Sequence, residues 1–338
     1  VSRLKVVANL DIAEHRLPQD GRFRIKFRER QVDFRVSILP ASFGEKAALR
    51  ILDKSTATLD LDSLGFDQKQ LEVIKKCIRK PHGMTLVTGP TGSGKTTTLY
   101  SMLKVVDSIT DNLVTIEDPV EYQLEGINQV NVRESIGLTF ANCLRSILRQ
   151  DPDTIMVGEI RDFETVDIAI KSALTGHRVF STLHTTTTAG SVVRLINMGV
   201  EPFLITSSLI CVVAQRLVRK LCNKCKERYV PSEATVSKLK LQTNEEIVLY
   251  KPKGCDACLN MGYSGRTVIS EVLVITPQVQ ELILNREQEY RVKNTARQEG
   301  MKTLREDGLE KCLAGVTSVE EILRVTATDE PLKKIPQP

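Results

Sequence analysis

Hydrophobic periodicity divides the chain into two parts. Over residues 22–28 and 31–39 apolar and polar positions alternate, with Phe23, Ile25 and Phe27, then Val32, Phe34, Val36 and Ile38, each falling on one face. Alternation of this kind predicts half-buried antiparallel strands, and residues 47–52 continue it. Asp20-Gly21 and Pro40 read as turn punctuation, and residues 1–14 as a helix. Residues 54–64 (KSTATLDLDSL) read as a linker, after which the period changes. An amphipathic helix is predicted over 67–79, and short apolar strands over 84–88, 113–116, 154–157 and 178–183. Helices at 94–107, 139–150, 165–174 and 188–198 are interleaved with them. Strands alternating with helices predict a mostly parallel sheet covered on both faces. From Thr276 the pattern is helical, and Thr317-Ser318-Val319-Glu320-Glu321 offers a cap for a helix through Val325. Pro331, Pro336 and Pro338 mark a frayed tail. The expected class is α/β in two domains, in keeping with 338 residues at roughly 150 per domain.

Composition narrows the picture slightly. At 41% hydrophobic and 26% charged residues the chain is neither disordered nor fibrous. The net charge of +5 comes from 47 basic and 42 acidic residues spread throughout, which reads as a mixed solvated surface and is only a weak hint at an acidic partner. Aromatics are 4% with no Trp, fewer than a channel that stacks bases would want. No apolar run reaches the ~18 residues of a membrane span. The chain begins at Val1 without a signal core, so nothing points to secretion, and the opening reads as part of a longer protein.

Chemistry enters at Gly89-Pro90-Thr91-Gly92-Ser93-Gly94-Lys95-Thr96, which fits G-x-x-x-x-G-K-[ST] in full. A strand is predicted before it and a helix after it, as a phosphate-binding loop requires. Its glycines let backbone N–H groups, through Thr97, curl around phosphate oxygens at a helix N-terminus. Lys95 can reach the β- and γ-phosphates of ATP, and Thr96 can hold Mg²⁺.

Such a loop needs carboxylates at the ends of neighbouring strands. Two runs offer them, Thr115-Ile-Glu-Asp-Pro-Val-Glu121 and Ile155-Met-Val-Gly-Glu159. Gly158 stands where many ATPases keep Asp, which leaves Glu159 on the magnesium side, directly or through water. Glu121 is then the group that orients and deprotonates the attacking water, although the two could exchange roles. Glu117 and Asp118 are equally turn residues ahead of Pro119. His177 and His184 flank the next strand, where a neutral imidazole could donate to a phosphate oxygen or to the water; a structural histidine is the other reading.

Of eight cysteines, four form two C-x-x-C pairs, Cys222/Cys225 and Cys255/Cys258. Four thiolates converging tetrahedrally suit structural Zn²⁺, against buried thiols or a redox pair. Cys77, Cys143, Cys211 and Cys312 sit in apolar, helix-like contexts and read as core.

Together these segments resemble the secretion ATPase superfamily, the hexameric motors of type IV pili and type II secretion. The matching residues are GPTGSGKT, TIEDPVEY (115–122), IMVGEIRD (155–162) and GHRVFSTLHTTTT (176–188), with LPQDGRFR and VDFRVSILP near the start. The paired cysteines resemble the assembly and export branch rather than the retraction branch. The resemblance implies a PAS-like α+β domain (1–53), a flexible linker (54–64) and a RecA-like P-loop ATPase domain (65–330), then a tail (331–338). That ATPase domain would include a zinc-stapled subdomain (215–265) and a helical C-terminal region (276–330). It also implies that arginines of the first domain reach the nucleotide; Arg22, Arg24, Arg35 and Arg50 lie in the matching stretches, where exposed sheet charges are the alternative. The expected assembly is a homo-hexamer on the cytoplasmic face of the inner membrane. It would hydrolyse ATP to drive pilin polymerisation through a platform protein, touching the membrane only through partners and binding no nucleic acid directly. Type II secretion is the close alternative. A RecA-like nucleic-acid translocase and a nucleotide-gated scaffold with negligible turnover are the more distant ones.

Overall fold

Alternating residues at the start of the chain build a three-stranded antiparallel sheet in the order β1 (Gln19–Phe27), β2 (Arg30–Ala41), β3 (Gly44–Asp53). Phe23 pairs with Phe34 in register, their rings stacked at 4.9 Å. Helix α1 (Ser2–Val7) lies against the sheet, and Ala8, Val36 and Ile38 form a small core. The helix is shorter than the expected 1–14. The chain turns at Asn9 with φ of 56°, and buried Lys5 bonds from Nζ to Glu14 O at 2.6 Å, which draws residues 10–18 into a loop. Gly21 and Pro40, expected in turns, lie inside β1 and β2. Gly21 is required there because a Cβ would meet Ala8 O at 2.9 Å. Pro40 is tolerated because it sits beyond the last position that β1 pairs, where no ladder donor is missed.

This computed structural model describes residues 1–27, 30–53, 60–106, 110–233, 236, 239 and 247–327, with backbone alone at 27, 30, 31, 52 and 53. The chain divides into two units, Val1–Thr58 and Leu59–Pro338. The expected linker falls largely outside the described residues. Its last part does not behave as a linker: Leu61–Ser63 is a 3₁₀ turn, Leu61 is wholly buried, and Asp62 pairs with Lys75 at 2.5 Å. The expected tail also lies outside the described residues.

The second unit runs α2 (Gln68–Ile78), β4 (Gly83–Thr88), α3 (Lys95–Val106), β5 (Leu113–Glu117), β6 (Asn128–Asn131), α4 (Phe140–Ile147), β7 (Thr154–Val157), α5 (Phe163–Leu174), β8 (Arg178–Leu183), α6 (Thr188–Asn197), α7 (Pro202–Ser208) and β9 (Leu209–Leu221). There follow a small hairpin, β10 (Glu227–Tyr229) with β11 (Leu249–Lys251), then β12 (Tyr263–Val274), α8 (Pro277–Leu284), α9 (Glu289–Gln298), α10 (Leu304–Leu313) and α11 (Val319–Val325). Seven strands form one sheet, ordered β12-β9-β4-β8-β7-β5-β6. Neighbours are parallel except β12, which returns antiparallel to β9.

Strand β4 is buried at every residue, which is why it reads as a continuous apolar run. Its side chains alternate between two cores. Met84 and Leu86 join α4, α5 and α6, whereas Val87 joins α2 and α3. Side-chain caps start the helices where the sequence allows: Asp67 on α2, Thr139 on α4, Asp162 on α5, Thr187 on α6 and Ser318 on α11. Strands β9 and β12 were not expected from periodicity, and Cys211, read in a helical context, lies on β9. A run buried on both faces carries no period, so it cannot be told from a buried helix. Residues 215–221 and 263–265, expected in the zinc subdomain, are strand residues of the main sheet.

Candidate functional site

The parallel strands β4, β5, β7 and β8 all end at one edge of the sheet, where α/β folds bind ligands. At the end of β4 the chain curls through residues 89–94 before α3 begins at Lys95. Gly89, Gly92 and Gly94 have φ of 150°, 80° and 89°, backbone that side chains resist. The backbone N–H groups of Gly92, Gly94, Lys95, Thr96 and Thr97 meet no hydrogen-bond acceptor among the described residues. Pro90, Thr91 and Gly92 are exposed, while Thr96 and Thr97 are half-buried. Ser93 Oγ is buried without a protein partner among the described residues. Lys95 Nζ donates to Gly89 O at 2.9 Å. Burial pushes its ammonium below the usual lysine range, with Glu159 acting the other way.

Two residues past β7, Glu159 accepts from His184, with Nε2 to Oε2 at 2.9 Å, and pairs through its other oxygen with Arg161. Burial works against its charge, but the bonds from Arg161 and His184 prevail and hold the carboxyl below the usual range. Arg161 also stands 3.7 Å from Asp118, the first residue after β5. Glu121 lies half-buried further along that loop. Gly158 occupies the expected acid's position because a Cβ there would meet Ile116 O at 3.0 Å. Glu117 is drawn inward as a buried acceptor for Thr115 (2.6 Å), Gln129 (3.0 Å) and Tyr100.

His177 does not join this cluster. It precedes β8, beside the start of β4, with Nδ1 3.0 Å from Ser172 O and its own carbonyl accepting from Gly83 N. Six strand steps separate it from Leu183 at the carboxyl edge, roughly 20 Å. His184, the other histidine of the motif, directly follows β8 and stands at that edge, so the two ends of the strand do not share one ligand.

In the first unit Arg22, Arg35 and Arg50 occupy directly opposed positions on β1, β2 and β3, one row of like charges across the sheet. Opposed like charges cost stability unless an anion relieves them. Arg24, across from Asp33, is paired with it at 2.5 Å.

Cys222, Cys225, Cys255 and Cys258 converge at the far end of the β9–β12 pair, with all four sulfurs within 4.8 Å of one another. Three pairs measure 3.8–3.9 Å, against about 3.8 Å for sulfurs arranged tetrahedrally on zinc. Burial opposes ionisation of Cys258, yet the backbone N–H groups of Cys255 and Gly262 bring its thiol down to about 7. The donor set therefore fits structural zinc. Cys77, Cys143, Cys211 and Cys312 are buried elsewhere.

Sequence reasoning missed the contribution of β9. Gln215 is wholly buried; its Nε2 donates to Ser93 O at 2.8 Å and its Oε1 accepts from Thr98 at 2.9 Å, fastening the phosphate loop from the next strand. Arg216 follows it. The signal was present as two polar residues interrupting the apolar run 209–218.

Residues 1–324 match the family described as Type II/IV secretion system protein. The chain is 51% identical over 326 residues to type II secretion system protein E of Pseudomonas aeruginosa, covering 96% of this chain and 65% of that one. It is 50% identical over 335 residues to the type IV pilus assembly ATPase PilB of Myxococcus xanthus, covering 97% and 59% respectively. The chain thus spans about two thirds or less of the length of these relatives. Among solved structures, the pilus retraction motor PilT with bound ADP superposes with a TM-score of 0.66 at 26% identity, over 93% of this chain and 78% of that one. A mixed α/β fold with a parallel sheet, a complete phosphate-loop motif and a family match over nearly the whole length agree, and the chain belongs to the Type II/IV secretion system protein family.

Proposed function

We propose that this chain is the ATP-hydrolysing part of a hexameric motor that drives pilin polymerisation in type IV pilus assembly, acting through an inner-membrane platform protein. The observation that carries the reading is the run of N–H groups at Gly92 and Gly94–Thr97 without acceptors among the described residues, set beside Lys95. Donors in that arrangement accommodate a polyphosphate. We read the second unit as RecA-like and the first as PAS-like.

Thr96 and Glu159 offer the hard oxygen donors that suit Mg²⁺, which when bound would neutralise phosphate charge. Glu159 orients His184 and Arg161 at the carboxyl edge, and Glu121 takes the proton of the attacking water. Arg22, Arg24, Arg35 and Arg50 supply positive charge to the phosphates. Nucleotide can drive motion between units only by binding one arrangement more tightly than another. No helix among the described residues is long and apolar enough to cross a membrane, and we place the motor at the cytoplasmic face of the inner membrane, held there by partners.

Type II secretion is the second reading, favoured by the 51% identity to protein E. Phosphate release with ATP and magnesium tests the common core. Wild type should turn over, and Lys95→Ala should lose at least about a hundredfold. Unchanged turnover and nucleotide binding in Lys95→Ala would end the reading.

A further inference from the structure

Arg216 is the half-buried arginine of β9 beside the phosphate loop, two residues past Ala214, the last position that β9 pairs with β4. Its Nη1 donates to Gln215 O at 3.1 Å and its Nη2 to Thr186 O at 3.2 Å. Among the described residues no carboxylate lies within 4.0 Å of it. Four other arginines of this unit have carboxylate partners: Arg161 with Glu159, Arg219 and Arg324 with Glu321, Arg297 with Glu306. Carbonyls orient a guanidinium but do not neutralise it, and a charge taken partly out of water without a counter-ion is costly.

A second cation stands nearby. Lys95 Nζ donates to Gly89 O at 2.9 Å. Gly89 in turn packs so tightly on Gln215 O, the carbonyl that holds Arg216, that a Cβ would come within 2.6 Å of it. Lys95 thus holds the carbonyl of Gly89, and Arg216 holds the carbonyl on which Gly89 packs. Burial draws both toward losing their protons, relieved for Lys95 by Glu159 and for Arg216 by Glu271. Those carboxylates moderate the field without contacting Arg216. Of the five N–H donors of a guanidinium, two are used here, which leaves the fork able to take two oxygens of one phosphate.

We infer that Arg216 is a phosphate-binding residue of the nucleotide site, contributed from β9, with Gln215 and Thr186 orienting its guanidinium. The inference rests on the nucleotide reading above. It adds a group that the phosphate-loop motif does not contain.

The test compares wild type, Lys95→Ala, Arg216→Met and Arg216→Gln for affinity to ATP and ADP by displacement of a fluorescent nucleotide. The melting temperature of each is taken with and without nucleotide. Both Arg216 variants should bind ATP and ADP at least about tenfold more weakly, the size of one charge-assisted contact. Without nucleotide their melting should stay near that of wild type, while the nucleotide-induced rise shrinks. A purely structural arginine would give the reverse, a lower melting temperature with the rise preserved, and that result overturns the inference. So does affinity within twofold of wild type in a preparation where Lys95→Ala has lost binding. If Arg216→Met does not fold, Arg216→Gln keeps donors for both carbonyls and decides alone. Failure of wild type itself to bind nucleotide sinks the reading of the whole site, an outcome separate from wild-type binding with indifferent Arg216 variants.

Discussion

His184 Nε2 stands 2.9 Å from Glu159 Oε2, tying the end of β8 to the end of β7 across one step of the sheet. This contact makes the two residues a unit, so removing either should cost about as much as removing both. Positioned groups of this kind contribute about a hundredfold or more to rate. Turnover of Glu159→Gln and of His184→Ala should fall by at least that much, and the double variant should fall little further. His177→Ala, altered at the opposite end of β8, should stay within about threefold of wild type. Steady-state phosphate release measures all four, and an equal loss in His177→Ala would refute the separation of the two histidines.

Glu321 anchors α11 to β9. It is buried, yet its carboxyl falls from an ordinary 4.5 to about 2: burial raises it, and the bonds from Arg324 and Arg219 more than reverse that. A carboxyl lowered in the folded state stabilises fully above its unfolded value and loses that contribution as pH falls through the folded one. The contribution is therefore present above about 4.5 and gone below about 2. With both arginines half-exposed, we expect Glu321→Gln to cost about 2 kcal/mol at pH 7. Urea unfolding at pH 7 and pH 3 should show the gap between wild type and variant narrowing at the lower pH.

The cysteine cluster should carry one zinc ion per chain when the protein is purified without chelator. A four-thiolate site leaves no open coordination position, so its contribution is to folding. Chelation or Cys258→Ser should lower the melting temperature and loosen the distal part of β9 and β12 in hydrogen exchange. Full protection there after complete metal removal would contradict the assignment.

Gly158 explains an absent acid. A Cβ at this position meets Ile116 O at 3.0 Å and Glu117 Cα at 3.4 Å, both backbone atoms of β5 that cannot swing aside. Gly158→Asp should therefore destabilise by about 1–3 kcal/mol rather than restore an extra metal ligand. Denaturant titration reads the cost directly, and an undiminished midpoint would show that space was not the constraint.

Much of this architecture was written in residue order. The strand before Gly89 and the helix after Lys95 followed from local signals, because a glycine loop between an apolar run and a helical period admits few other readings. Spacing alone paired the cysteines two by two. The caps at Asp67, Thr139 and Ser318 likewise rest on side chains that accept from backbone N–H groups two or three residues on.

Other features required distant segments to meet. The sequence sets His177 and His184 at the two ends of one strand, and only the parallel register of β8 with β4 shows that the end carrying His184 lies beside the phosphate loop. Strand β9 was illegible because burial on both sides erases periodicity, and Gln215 and Arg216 gained meaning only when β9 came to lie beside β4, more than a hundred residues away. Arg22, Arg35 and Arg50 are scattered in sequence yet form a row once three strands pair. Local chemistry thus named the loop, the thiolates and the acids, since hydrogen bonding and metal geometry act over a few residues. Which of them share a site was left to sheet register and burial, which arise only when the chain packs.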